Sequence, residues 1–221
     1  MASKQYVVIG LGRFGRSVAE TLFSMGHDIL AIDSDEDVIQ NISDKVTHAV
    51  QMDATDEYAL RTLGIRNFDV AVVTIGSNVQ ASIMTTLILR ESGVKYIVAK
   101  AQSEMHAKVL TKIGADKVIL PERDMGVRVA HNLVSSNLLD FIELSPDYSV
   151  IEIQAPTDWY GKEILDLDVR SKYGINIMAI KSVDDINISP NAKDKIKEGD
   201  VLLCIGNTED LARLEHMISG D

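Results

Sequence analysis

In the first half of the chain the apolar residues fall in short runs instead of alternating with polar ones. Tyr6-Val7-Val8-Ile9, Ile29-Leu30-Ala31-Ile32, Ala49-Val50-Gln51-Met52, the stretch from Asp69 to Ile75, Tyr96-Ile97-Val98-Ala99-Lys100 and Lys117-Val118-Ile119-Leu120 read as strands, the apolar ones as strands covered on both faces. Between them lie stretches with helical spacing: Arg13 to Ser24, Ser34 to Ser43, Asp56 to Leu63, Val79 to Ser92 and Glu104 to Ile113. Repeated strand-then-helix units joined by short connections predict α/β architecture, a doubly wound parallel sheet with strand order 3-2-1-4-5-6. Pro121-Glu122-Arg123-Asp124 ends the sixth strand, and a long helix is expected from Met125 to Asn137. Its apolar positions (Met125, Val127, Val129, Ala130, Leu133 and Val134) cover more than one face, so it is expected to meet a partner as well as its own sheet.

From Asp140 the pattern changes. Phe141 to Leu144, Tyr148 to Ile153, Ile175 to Ile180, Asp185 to Ile188 and Val201 to Gly206 read as strands, several alternating apolar with polar, as half-exposed antiparallel strands do. Helical patterns fall at about Ile164 to Tyr173 and Thr208 to Ile218. The expected division is a nucleotide-binding domain over 1–122, a crossover helix and linker over 123–144 punctuated by Ser145-Pro146-Asp147, and a smaller α+β domain over 145–221.

Candidate chemistry concentrates where the first strand ends. Gly10, Gly12 and Gly15 fit G-x-G-x-x-G, with a strand before them and a helix after. In that setting the first glycine permits the tight turn, the second lets a phosphate approach the backbone, and the third lets the helix pack close. The helix N-terminus favours an anion. Asp33 closes the second strand at the spacing where a carboxylate accepts hydrogen bonds from a ribose diol. The pattern is that of a Rossmann-like nucleotide site. Ser34-Asp35-Glu36-Asp37 suits a helix start, its acids serving the dipole or a ligand. Asp53-Ala54-Thr55 ends the third strand, so Asp53 either accepts the adenine amino group or caps the following helix. Gly76-Ser77-Asn78 follows the fourth strand at the topological switch point. Lys100 ends the fifth, either facing phosphate or lying on the surface. Arg13 and Phe14 sit between the second and third glycines. A guanidinium there suits a terminal phosphate, which favours ATP/ADP over NAD(H); the bland alternative is a solvated first-turn side chain.

Composition narrows the partners. The chain has 221 residues and a formal charge of −11 from 33 acids against 22 bases, which argues against nucleic acid and against loose docking on an anionic membrane. The N-terminus offers no signal-peptide core and no apolar run reaches membrane-spanning length, so a cytoplasmic location is expected. The single cysteine, Cys204, lies in an apolar run and reads as a buried thiol. His106 and His131 each stand alone in a helical pattern and read as surface or capped residues; His27 and His48 precede strands and read as solvent-facing. HExxH, GxSxG, CxxC and P-loop motifs do not occur, and the second domain offers no proton donor with a substrate-binding arginine. A sensor is therefore expected rather than an enzyme, with an NAD-dependent oxidoreductase or a stand-alone nucleotide sensor as alternatives.

The segments VIGLGRFGRSVAETL, AIDSDED, THAVQMDATDE, LGIRNFDVAVVTIGSNVQASIMTTLIL, VAKAQ, KIGADKVILPERDMG, LDLDVRSKYGINIMAIK and EGDVLLCIG together resemble the RCK-domain regulatory subunits of bacterial Ktr-type potassium transporters, over nearly the whole chain. The resemblance implies an RCK_N domain that binds ATP or ADP, with ATP activating. Gly10, Gly12 and Gly15 would cradle the phosphates, Asp33 with Ser34 hold the ribose, and Asp53, Ala54 and Thr55 lie by the adenine. Gly76, Asn78 and Lys100 complete that site. Arg13 matches an arginine that reaches the terminal phosphate across a dimer interface, and Glu122 matches an acid that gathers a divalent cation (Mg or Ca) there. The RCK_C domain would bind inactivating cyclic di-AMP through Arg170, Asn176 and Pro190, with Leu165, Asp168, Ile175 and Ile177 beside them. Taken alone, Ile175 and Ile177 are ordinary strand residues. The resemblance further implies homodimers assembling into an octameric ring. That ring docks on a membrane potassium-conducting subunit at the inner face of the cell membrane.

Overall fold

Strands β1 (Gln5–Ile9), β2 (Asp28–Asp33), β3 (His48–Gln51), β4 (Val70–Val73), β5 (Ile97–Lys100) and β6 (Lys117–Ile119) form one parallel sheet in the order β3-β2-β1-β4-β5-β6, as the alternating pattern predicts. The helices between them are α1 (Arg13–Ser24), α2 (Glu36–Ile42), α3 (Glu57–Thr62), α4 (Val79–Glu91) and α5 (Glu104–Lys112). The computed structural model describes residues 3–134, 138–183 and 185–219, and the chain divides into the units Met1–Glu122 and Arg123–Asp221.

The unbroken apolar runs have a direct cause. Val7 and Ile9 join Leu30, Ile32, Val73 and Ile97 in a core shared with Leu60, Leu89 and Leu110. The intervening Val8 joins Ile29, Ala31 and Val72 in a second core with Ala19 and Ile42. Helices therefore cover both faces, and successive strand residues are buried in opposite directions. The topology reverses between β1 and β4, which pair in parallel, and ligands of doubly wound sheets bind at that point.

Helix α6 spans Pro121–Val134. It starts earlier than expected, because Pro121 begins the helix instead of ending the strand; a proline is well placed at a first helical turn, where its missing N–H has no partner to lose. The end of the expected span, 135–137, lies outside the described residues. The strand expected over Phe141 to Leu144 is β7 (Leu138–Ser145), three residues longer at its start and one at its end. It pairs antiparallel with β8 (Tyr148–Gln154), and Pro146 and Asp147 occupy the hairpin turn.

The second sheet runs β10-β9-β11-β8-β7, with β9 (Ile175–Lys181), β10 (Ile186–Asn187) and β11 (Val201–Asn207). One face, carrying Ile151, Ile153, Ile175, Leu202 and Cys204, packs on Trp159, Leu167, Ile196, Leu211 and Leu214. The last two belong to α9 (Thr208–Ser219). The helix expected from Ile164 to Tyr173 is two short ones, α7 (Ile164–Leu167) and α8 (Val169–Tyr173), separated by Asp168 at φ 46°. Aspartate is among the few non-glycine residues that tolerate this left-handed conformation. Among the described helices none is long and apolar enough to cross a membrane.

Gly15 sits against the Gly10 carbonyl and the Thr74 hydroxyl, where an added Cβ would overlap both; at Gly12 it would meet nothing within 4 Å. Gly15→Ala is accordingly expected to cost about 1–3 kcal/mol of stability, seen as a lower Tm in calorimetry. Gly12→Ala should stay within about 0.5 kcal/mol of the parent.

Candidate functional site

The C-terminal ends of β1 to β5 converge on a cleft of about 1020 Å³. Gly10, Gly12, Arg13, Phe14, Asp33, Ser34, Asp53, Ala54, Thr55, Gly76, Asn78, Lys100 and Glu122 all line it. Gly15 does not; it lies beneath the turn as the contact between α1 and Gly10. Residues scattered over more than a hundred positions are thus brought together by the parallel topology.

The helix N-termini at and around this cleft differ in one respect. α2, α3, α4 and α5 are capped by the side chains of Asp35, Asp56, Asn78 and Ser103. α1 has Gly12 at its N-cap, with no side-chain cap and no acid in its first turn. Its leading N–H groups are left without side-chain acceptors beside the cleft, and with the helix dipole they favour an anion.

Asp33 is held by backbone. One carboxylate oxygen accepts the Leu11 N–H at 2.6 Å and the other accepts the Asp35 N–H at 3.0 Å. A carboxylate has about four acceptor positions, so two remain for a diol. Asp53 accepts both the N–H and the hydroxyl of Thr55, at 2.8 and 2.7 Å. Those bonds hold its carboxyl below the usual range. Asp53 is not the cap of α3; Asp56 is, through the Ala59 N–H. Lys100 donates to Glu122 and sits 5.8 Å from the Phe14 ring centroid. Its side chain is only 12% exposed, against 70% for Glu122. The bond from Lys100, reinforced by a backbone N–H and by the charges of Lys100 and Arg13, holds Glu122 below the usual carboxylate range. Arg13 and Glu122 therefore share one electrostatic rim. Among the described residues no group of three or more His, Cys, Asp or Glu could hold a metal.

The second set of predicted residues is distributed differently. Leu165, Asp168, Arg170 and Asn176 are exposed, and Ile177 and Pro190 are half-buried. The Leu165 N–H donates to Ala192 at 2.8 Å, which places Leu165 beside the segment that follows Pro190. Ile175 is corrected: it is fully buried in the domain core. Strand alternation turns Ile175 inward and Asn176 outward, so the isoleucine supports the strand and cannot floor a ligand site on the chain's surface. The cleft of about 420 Å³ in this unit is lined elsewhere, by Trp159, Lys162, Asp166, Lys172 and Tyr173 among others.

Sequence reasoning missed Thr74, which lines the first cleft while 95% buried; its signal was a lone hydroxyl at the end of an apolar strand. His106 is also corrected. It is buried, with Nδ1 accepting the Gln102 N–H at 3.3 Å and Nε2 without a partner. His27 is half-buried and its ring packs against Tyr6, whereas His48 is exposed. Cys204 is buried, which pushes its thiol up to about 12.

A doubly wound sheet with an uncapped glycine turn, followed by a small antiparallel domain, defines a two-domain RCK-type protein. The backbone superposes on the GsuK RCK domain with a TM-score of 0.70 at 19% identity, covering 98% of this chain and 48% of that one. The TrkA-N domain matches residues 6–121 and the TrkA-C domain residues 149–219. The chain is 50% identical over 215 residues to Ktr system potassium uptake protein C of Bacillus subtilis, covering 97% of each. It is 48% identical to Ktr system potassium uptake protein A of the same organism, covering 97% of this chain and 96% of that one. The chain belongs to the Ktr family of TrkA-N/TrkA-C proteins.

Burial sets a pH dependence. Desolvation lowers the pKa of His106 below its ordinary 6.5. Near that pH the unfolded chain then binds more protons than the folded one. The contribution of His106 to stability is complete above pH 6.5 and is lost as pH falls through the lower, folded value. Unfolding free energies measured by denaturant titration should fall from neutral to mildly acidic pH. In His106→Gln the fall over that window should be smaller.

Proposed function

We propose that the chain is the cytosolic regulatory subunit of a potassium uptake system and not an enzyme. It binds ATP or ADP in the first unit, with ATP activating, and cyclic di-AMP in the second, which inactivates. The observation that carries the first half is the uncapped start of α1 beside Asp33, in a cleft that also holds Arg13 and Lys100. Anion, diol and terminal-phosphate partners stand together there. Relatives of near-identical length are named potassium uptake proteins.

Assembly follows from α6. Met125, Val127, Val129 and Leu133 are 54, 43, 47 and 80% exposed, an apolar surface that a second copy of the chain would cover. Homodimers would build an octameric ring on the membrane potassium-conducting subunit, at the inner face of the membrane. In the dimer Arg13 would reach the partner's terminal phosphate. Glu122 contributes one carboxylate, so a divalent cation would take its remaining ligands from phosphate oxygens and the second copy. In the second unit Asn176, Arg170 and Leu165 offer amide, cation and apolar contacts for a cyclic dinucleotide.

ATP and ADP share adenine and ribose contacts, and shared contacts cannot shift an equilibrium. Discrimination therefore falls to Arg13 and Glu122. Arg13→Ala should keep ADP affinity and lose about tenfold in ATP preference; calorimetry giving equal losses for both nucleotides sinks this assignment. Asn176→Ala should weaken cyclic di-AMP binding and leave ATP binding unchanged; equal loss of both rejects two independent sites. The function itself is tested by potassium flux through the membrane subunit in vesicles, which should rise with this chain plus ATP and fall with cyclic di-AMP.

A further inference from the structure

The peptide unit joining Gly10 to Leu11 is gripped at both ends. Its carbonyl oxygen, on Gly10, accepts the Thr74 hydroxyl. Its N–H, on Leu11, donates to Asp33 at 2.6 Å. The Ile9 carbonyl, which the same hydroxyl also approaches at 3.2 Å, already receives the Thr74 backbone N–H at 2.8 Å. A hydroxyl has one proton, and the Ile9 carbonyl already has a backbone donor, which leaves the Gly10 carbonyl as its acceptor. Because a peptide is planar, fixing its carbonyl direction fixes its N–H direction. Thr74 on the β4 end and Asp33 on the β2 end are therefore coupled through one rigid plate, although they do not touch.

We propose that Thr74 is a positioning residue for ribose recognition. By holding the Gly10 carbonyl it aims the Leu11 N–H, and that N–H holds the Asp33 carboxylate in the orientation that receives a diol. This rests on the reading of the cleft as an adenine-nucleotide site. Without the hydroxyl the Gly10–Leu11 plate is free to tilt about the Gly10 backbone, which stands at φ 89°. Asp33 then keeps only the Asp35 N–H and loses the partner that orients its other oxygen, while the N-terminus of α1 that faces phosphate keeps its place.

The test compares ADP with 2′,3′-dideoxy-ADP by calorimetry on the full chain. The parent should prefer ADP. Thr74→Val, which keeps the side-chain shape, should reduce that preference about tenfold, and Thr74→Ser should restore it. Should valine disturb the packing under Gly15, Thr74→Ala removes the same hydroxyl and is read in the same way. General loosening of the fold would weaken both ligands alike and leave their ratio unchanged. That result, or an unchanged ratio with unchanged affinities, overturns the proposal. A parent chain that binds ADP without preferring it over the dideoxy form overturns the positioning role and leaves phosphate binding standing. A parent that binds neither overturns the reading of the cleft itself.

Discussion

Where β1 hands over to α1, Gly10, Gly15 and Thr74 meet with no Cβ between them. A Cβ on Gly10 would lie 2.8 Å from the Ile75 nitrogen, and one on Gly15 would overlap the Gly10 carbonyl. This contact lets α1 start directly above the sheet, with its first N–H groups beside the ends of β1 and β4. Helices α2 to α5 start behind a polar side chain that accepts from those groups. One close approach thus bears on which helix end remains available to an anion, and Arg13, the first residue of that helix, is placed with it. The same approach leaves Thr74 with its hydroxyl against the turn.

Most of the first unit was legible because burial on both faces leaves a strong mark on sequence. Val7, Val8 and Ile9 are all essentially inaccessible, and only a sheet sandwiched between helices requires that of three successive residues. The cleft was legible for the same reason: in a parallel sheet every strand ends on the same side, so the residue following each run is placed by topology alone. What failed was local. Pro121 carries two meanings, strand stop and helix start, and the sequence does not say which. Asp168 interrupts a helix through a backbone conformation that its neighbours do not announce. His106 looked like a surface histidine because its own helix is mixed; its burial comes from the core around Ala101 and Leu110, which is a tertiary fact.

The second unit was less legible at its site. An antiparallel sheet with one covered face sends alternate residues to opposite destinies, and a shift of one position reverses them. Ile175 and Ile177 lie one residue to either side of Asn176, and only Asn176 is exposed. A resemblance that names neighbouring residues together does not separate those that touch a ligand from those that support them. Leu203 and Cys204 add to this, because the pairing of β11 with β9 shifts register between them. Past such an irregularity, alternation counted from one end no longer predicts the face.

The charge balance looks opposed to binding a polyphosphate, yet it bears on range and not on contact. With 33 acids and 22 bases the chain repels an approaching nucleotide at long distance. At physiological ionic strength that repulsion decays over about 8 Å, so acids elsewhere on the surface contribute little once the ligand is in the cleft. Inside it Arg13 and Lys100 stand beside the N-terminus of α1 but among the carboxylates of Asp33, Asp35, Asp53 and Glu122, so position and not net charge sets what an anion would meet; Lys100 is paired with Glu122 and lies over the Phe14 ring. A cation held at 12% exposure loses less of its attraction to screening than one in open solvent. Affinity in such a cleft depends on short contacts at fixed positions. Short contacts can tell one anion from another, whereas a diffuse basic surface would hold every anion alike.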